Sequence, residues 1–297
     1  MIADFHGWAR SRQARIEAVL QILLPAADIA PERLHDAMRY AVLGGGKRVR
    51  PLLAFAAGDL TEADEERVGI AAAAVELIHV YSLVHDDLPC MDDDVLRRGK
   101  PTCHVKYDEP IALLTGDSLQ SLAFQLLAEH RLADDPQAQL GMIRRLAQAA
   151  GSRGMAGGQA VDLDSVGKAL SLPELEFMHI HKTGALIRAA VMLGAYCGAP
   201  LDEDEASNLD HFAKCVGLAF QVVDDVLDAE ATTATLGKTA GKDAENNKPT
   251  YISLLGARQA RELAEELRRD ARQSLAIFGT KAERLRQVTD FIIQRNF

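Results

Sequence analysis

Apolar residues recur along most of this chain at three- and four-residue intervals, the period that puts one stripe of side chains on one face of a helix. Phe5, Trp8, Ile16, Val19, Leu20 and Leu23 predict an amphipathic first helix that stops near Pro25. Pro31 opens a second, closed by Gly44-Gly45-Gly46, and a third begins between Lys47 and Pro51 and runs toward Leu60. A fourth, from about Val68 to Asp87, is apolar nearly all round, the pattern of a helix with neighbours on every side. Further helices are predicted at 111–130, 136–150, 173–198, 203–227, 257–278 and 281–294. The glycine-dense run from Gly151 to Gln159 reads as either a close helix crossing or a break. No run of alternating β-branched residues stands out, so the fold class is all-α. With no linker, repeat or low-complexity tract, residues 1–297 are expected to form one domain.

Two aspartate clusters interrupt this pattern, each at the end of an apolar stretch. One is Asp86-Asp87-Leu88-Pro89-Cys90-Met91-Asp92, continuing into Asp93 and Asp94; the other is Asp224-Asp225-Val226-Leu227-Asp228. Crowded carboxylates at the end of a core-facing helix repel one another, and desolvation disfavours their ionised form. A divalent cation removes that cost, and an all-oxygen set suits Mg²⁺, which keeps waters and joins carboxylates to substrate phosphates. Asp224 and Asp228 share a helix face, with Asp225 beside it. Pro89 disfavours helical geometry at Leu88, so Asp92 is expected in a bulge folding back toward Asp86. The alternative is a pair of solvated acidic helix ends.

The chain also carries local cations, though its net charge of −10 and lack of a basic-aromatic stripe argue against nucleic acid as a partner. Gly46-Lys47-Arg48-Val49-Arg50-Pro51 sets three cations at a helix start, where free N–H groups already favour an anion. Arg97 and Arg98 follow the first aspartate cluster, placed either to neutralise it or to grip a diphosphate. His179, His181, Lys182 and Thr183 fall in one helix, and His79 lies about two turns before Asp86 on the same face. Lys238, Lys242 and Lys248 sit in a glycine-broken segment beyond Asp228, suited to a lid over phosphates or to an ordinary exposed loop. Acids for metal and cations for phosphate together imply a diphosphate substrate, with two anionic groups held apart.

Remaining features bound the setting. The chain has 297 residues, 48% hydrophobic and only 5% aromatic, enough for a sizeable helical core. Cys90, Cys103, Cys197 and Cys215 show neither CxxC spacing nor a histidine-ligand pattern, so reduced thiols are expected. Neither a signal-type N-terminus nor an uninterrupted apolar membrane span is read from the sequence, and a cytoplasmic protein is expected.

The motifs Asp86-Asp87-x4-Asp92 with Arg97-Arg98, Asp224-Asp225-x2-Asp228, Gly46-Lys47-Arg48-x-Arg50-Pro51 and Gly241-Lys242-Asp243-x2-Asn246-x-Lys248 resemble the trans-isoprenyl diphosphate synthases. They run in that family's order from about residue 30 onward, and are most similar to its bacterial farnesyl type, whose first aspartate motif carries two extra residues. The resemblance implies antiparallel helices around a deep cavity, usually in a homodimer. It implies Mg²⁺ ions on Asp86, Asp87, Asp92, Asp224, Asp225 and Asp228. Dimethylallyl or geranyl diphosphate would be caged by Arg97, Lys182 and Lys238, and isopentenyl diphosphate held by Lys47, Arg50, His79 and Arg98, with Lys248 also in the binding set. Oxygens near Lys182, Thr183 and Gln221 would face the allylic cation. The expected product is farnesyl diphosphate, with a geranylgeranyl synthase or a terpene cyclase as alternatives. A cyclase needs one diphosphate site, which leaves the cations at residues 47–50 unexplained; a regulatory subunit would not need intact aspartates. Tyr81, five residues before Asp86, and the small Ser82 are the expected chain-length positions, although ideal helix geometry turns Tyr81 about 140° from Asp86.

Overall fold

The computed structural model describes residues 4–230 and 249–294, and helices account for most of them. The N-terminal third contains α1 (Phe5–Leu23), α2 (Glu32–Val42), α3 (Val49–Leu60) and α4 (Glu65–Asp86). A two-residue hairpin, β1 (Leu96–Arg97) with β2 (Lys100–Pro101), and the short α5 (Cys103–Lys106) follow. Then come α6 (Glu109–Glu129), α7 (Pro136–Ala150), α8 (Met155–Asp164) and α9 (Leu172–His179). One π turn (Ile180–Gly184) leads into α10 (Ala185–Tyr196), and α11 (Glu203–Glu230) completes the central part. The C-terminal part is α12 (Tyr251–Ser274), a 3₁₀ segment (Ala276–Ala282) and α13 (Glu283–Ile293).

Local chemistry starts these helices where the pattern predicts. Asp64 caps α4 by accepting from the backbone N–H groups of Glu66 and Arg67, with Glu65 and Glu66 in the positive first turn. Asp135 caps α7 ahead of Pro136, and Ser171 with Glu174 forms a capping box on α9. The glycine-dense run is both things at once: the chain breaks at 151–154 and restarts as α8, which periodicity alone did not separate. The hairpin and α5 were likewise unpredicted; two-residue strands carry no alternation to detect.

Helix α4 is the axis of the bundle. Ala71, Ala72, Ala73 and Ala74 have no exposed surface, and α3, α6 and α10 pack around them. A second core joins α3, α10, α11 and α13 through Leu53, Ile187, Phe212 and Leu285. By length and apolarity alone α4 and α6 match membrane spans. For α4 the bundle supplies the apolar surroundings, whereas less than half of the equivalent stretch of α6 is buried, and Leu113 and Leu114 face outward.

The Lys-Arg-x-Arg motif diverges on folding. Arg48 takes a left-handed backbone conformation (φ 51°) that turns its side chain inward, away from solvent. There Nη1 donates to Glu76 Oε1 at 2.7 Å, Nε to Glu17 Oε1 at 2.7 Å and Nη2 to the Val42 carbonyl at 2.6 Å. Glu76 is 2% exposed on the middle of α4, so this pair ties the α2–α3 turn to the axis helix. Removing one partner of such a pair strands a buried charge. Glu76→Ala is therefore expected to cost about 3–5 kcal/mol in urea unfolding, with Glu76→Gln milder; a loss below about 1 kcal/mol, the range of exposed pairs, would contradict the role.

Candidate active site

A cavity of about 360 Å³ opens beside the C-terminal end of α4, with α8 and the π turn forming its opposite side. Arg50, His79, Tyr81, Ser82, His85 and Asp86 line it from one side, and Gln159, Lys182 and Thr183 from the other. Ideal helix geometry turned Tyr81 away from Asp86. Both line the cavity because it wraps part of the way round α4 rather than following one stripe.

At the end of α4 the chain reverses as expected. The Met91 N–H donates to the Leu88 carbonyl at 2.9 Å, and the Asp92 N–H to the Asp86 carbonyl at 2.8 Å. This compact loop brings Asp92 back beside Asp86. Burial pushes the Asp86 carboxyl up to about 6; Lys182 opposes that rise, and Asp92 adds to it. Asp87 turns to the other side, where Arg97 holds both its oxygens at 2.6–2.9 Å. Asp87, Arg97 and Arg98 line a separate narrow crevice with Tyr40 and Cys103. Arg98 donates to the Gly45 carbonyl.

The facing wall depends on the π turn, one wide turn inserted between α9 and α10. It presents Lys182 and Thr183 side by side. Gly158 on α8 makes room for it: a Cβ there would lie 2.1 Å from the Lys182 nitrogen. Lys182 Nζ donates to Asp162 Oδ2 at 2.5 Å. Thr183 Oγ1 donates to Gln221 Oε1 at 3.1 Å, and Gln221 Nε2 to Asp225 Oδ1 at 2.9 Å. The other Asp225 oxygen accepts the Tyr251 N–H at 2.8 Å, so Asp225 serves as the anchor of a buried relay.

The cations are tuned by burial. Desolvation lowers the Arg50 pKa, while Glu76 and Asp224 act in the opposite sense, placing Asp224 of α11 within electrostatic reach of Arg50. His79 is held well below the usual histidine range, first by burial and then by Arg50, Arg98 and Arg97, so it is neutral at pH 7.

Of the expected metal ligands, Asp86 lines the cavity beside Asp92, while Asp87 and Asp225 have both oxygens engaged elsewhere. Asp224 and Asp228 lie on α11 and are not part of that cavity's wall. Lys47 lies on a different depression, with Phe5, His6 and Asp290. Lys238 and Lys248 lie outside the described residues. Sequence reasoning missed Asp162 and Gln159, whose amide is buried with no hydrogen-bond partner among the described residues while lining the cavity. Their signal was the three-residue spacing of two polar groups right after Gly157-Gly158.

An acid-rich helix end facing a basic wall across such a cavity is the arrangement of an enzyme acting on diphosphates. The chain belongs to the polyprenyl synthetase family, whose profile matches residues 31–286. It is 50% identical over 268 residues to the farnesyl diphosphate synthase of Escherichia coli (strain K12), spanning 88% of this chain and 89% of that one. Among solved structures it resembles an apo FPP/GFPP synthase from Zymomonas mobilis (TM-score 0.88, 39% identity, 99% of this chain and 100% of that one). It also resembles a geranyltransferase from Helicobacter pylori complexed with magnesium and isoprenyl diphosphate (TM-score 0.88, 31% identity, 99% of each chain).

His179, buried and stacked 5.5 Å from Tyr251, gives the site an acid limit. Burial, reinforced by Lys182, lowers its pKa from 6.5 to about 4. Between those values the unfolded chain binds the proton and the folded chain does not, so stability is lost as the pH drops from 6.5 toward 4. The slope from this one group is roughly 1.4 kcal/mol per pH unit. His179→Phe is expected to flatten the pH dependence of urea unfolding over that range by this amount, and an unaltered slope would show that His179 does not set it.

Proposed function

We propose that this chain is a prenyltransferase that joins isopentenyl diphosphate to dimethylallyl or geranyl diphosphate and releases farnesyl diphosphate. The observation that carries this reading is one cavity in which a desolvated acid edge (Asp86, with Asp92 beside it) faces Lys182 on the opposite side, while Arg50 adds a second cation on the Asp86 side. Family membership and the Escherichia coli relative support the same assignment.

The acid edge fits Mg²⁺. Its donors are carboxylate oxygens, and the burial that raises Asp86 is a cost that a divalent cation offsets. Among the described residues no group of three or more side chains is gathered into a complete metal shell. An ion held by Asp86 and Asp92, with Asp224 on the α11 side, would thus take further oxygens from substrate. When bound, Mg²⁺ supplies neutralisation of the departing diphosphate.

The chain's own residues do the rest. Lys182, aimed by Asp162, contacts the allylic diphosphate as its C–O bond breaks and the electron pair leaves with the phosphate. Thr183 and Gln221, locked by Asp225, set neutral oxygens beside the developing carbocation without offering a strong nucleophile. Arg50, with neutral His79 beside it, holds the isopentenyl diphosphate so that its double bond attacks the allylic carbon. The proton then lost from the new chain goes to the released diphosphate. Tyr81 closes the floor at farnesyl length, which disfavours a geranylgeranyl product, and the separate Arg50 site disfavours a cyclase. The outward Leu113 and Leu114 on the half-covered α6 fit a homodimer contact, and the four free cysteines fit a reducing cytoplasm.

Asp86→Ala and Asp224→Ala are each expected to lower Mg²⁺-dependent turnover of geranyl plus isopentenyl diphosphate by roughly a thousandfold or more, with the helical circular dichroism retained. Near-parental turnover in either would sink the two-wall reading. Arg50→Ala should chiefly raise KM for isopentenyl diphosphate, whereas Lys182→Ala should chiefly lower kcat; equal effects of both on one substrate would argue against separate sites.

A further inference from the structure

Gly116 stands in the middle of α6, where glycine costs about 1 kcal/mol relative to alanine. The reason is visible across the helix interface. A Cβ on Gly116 would lie 2.1 Å from His85 Nε2 and 2.4 Å from its Cδ2, so the imidazole of His85 occupies the notch that the missing side chain leaves. Seated there, His85 Nε2 is 2.9 Å from the Leu113 carbonyl oxygen, a hydrogen bond onto the backbone of α6. His85 follows Tyr81 by one helical turn, and the two rings meet edge to face, with centroids 5.6 Å apart and planes at 81°. Both side chains line the cavity that begins at Asp86.

We infer that His85 is a positioning residue that sets product length by fixing Tyr81. The inference rests on Tyr81 being the cavity floor, as argued above. Tyr81 also hydrogen-bonds the Gln120 side chain on α6, but that tie at the tip of the ring leaves its face open to a growing hydrocarbon, which can push it toward another rotamer. His85 removes that freedom: it fills the space beside the ring and is itself fastened to α6. The floor is then a clamp of two rings and a backbone carbonyl, and Gly116 is the part that lets it assemble. Without the imidazole, the notch at Gly116 is vacant and Tyr81 can turn into it, which deepens the pocket.

The test is the ratio of twenty- to fifteen-carbon products from geranyl diphosphate with excess isopentenyl diphosphate. His85→Ala should raise it about fivefold, the factor that one edge-to-face aromatic contact is worth. His85→Gln, which keeps a donor for the Leu113 carbonyl but lacks the ring, should raise it less and guards against a folding defect in the alanine variant. Tyr81→Ala should raise the ratio by itself, and adding His85→Ala to it should change nothing further, because the histidine acts through the tyrosine. An unchanged ratio in both His85 variants, alongside a shift in Tyr81→Ala, overturns the role of His85 and leaves the floor in place. No shift in any variant overturns the floor and the clamp together. An additive double variant overturns the route through Tyr81, and slower turnover at a constant ratio marks His85 as merely structural.

Discussion

The structure turns on a carboxylate that packing makes expensive. Asp86 ends a helix that the bundle surrounds, so the side chains that give α4 its place also desolvate its last residue. Left alone, that burial favours the protonated acid; with a hard cation and a phosphate beside it, the ionised form becomes the stable one. In the proposed reading, the burial that disfavours the bare carboxylate is also what favours a charged, metal-bridged ligand there. Lys182 faces it across the cavity and is kept from collapsing onto it by Asp162, which supplies a nearer partner at 2.5 Å.

Charge elsewhere in the bundle is divided between holding the fold and facing the ligand. Three cations adjacent in sequence end in three environments: Lys47 outside, Arg48 in the core, Arg50 at the cavity. The left-handed turn at Arg48 makes the division, because it reverses the direction of one side chain between its neighbours. Each aspartate cluster divides likewise. Asp86 faces the cavity while Asp87 clamps Arg97, and Asp225 anchors Gln221 and the start of α12. The residues next to the chemistry thus hold the backbone from which the neighbouring carboxylates project, which is how a loop and a helix end gain the rigidity a site requires.

Much of this was legible from the sequence. Helix positions followed from period and caps, and the return of Asp92 toward Asp86 followed from Pro89. Two kinds of feature were not. The first is direction at left-handed or irregular backbone: nothing local in Lys47-Arg48-Val49-Arg50 announces that Arg48 turns inward. The second is partnership across helices. Asp162 and Gln159 read as ordinary polar positions until α8 is seen against the π turn, and that contact depends on Gly158, whose meaning lies in the backbone it meets.

The same lesson applies to the floor. From one helix, Tyr81 and Asp86 point apart, and only a pocket that curves around α4 unites them. With Tyr81 as the proposed floor, and His85 bonded to α6, the limit on chain length would be a property of the α4–α6 contact rather than of a single side chain. That contact is anchored at Leu113, on the helix whose outward face is apolar and half covered. Whatever packs on that face stiffens the backbone to which His85 is bonded. In the proposed homodimer, then, the partner's surface would reinforce the end of the pocket, and association would favour a uniform product by limiting how far α6 can yield.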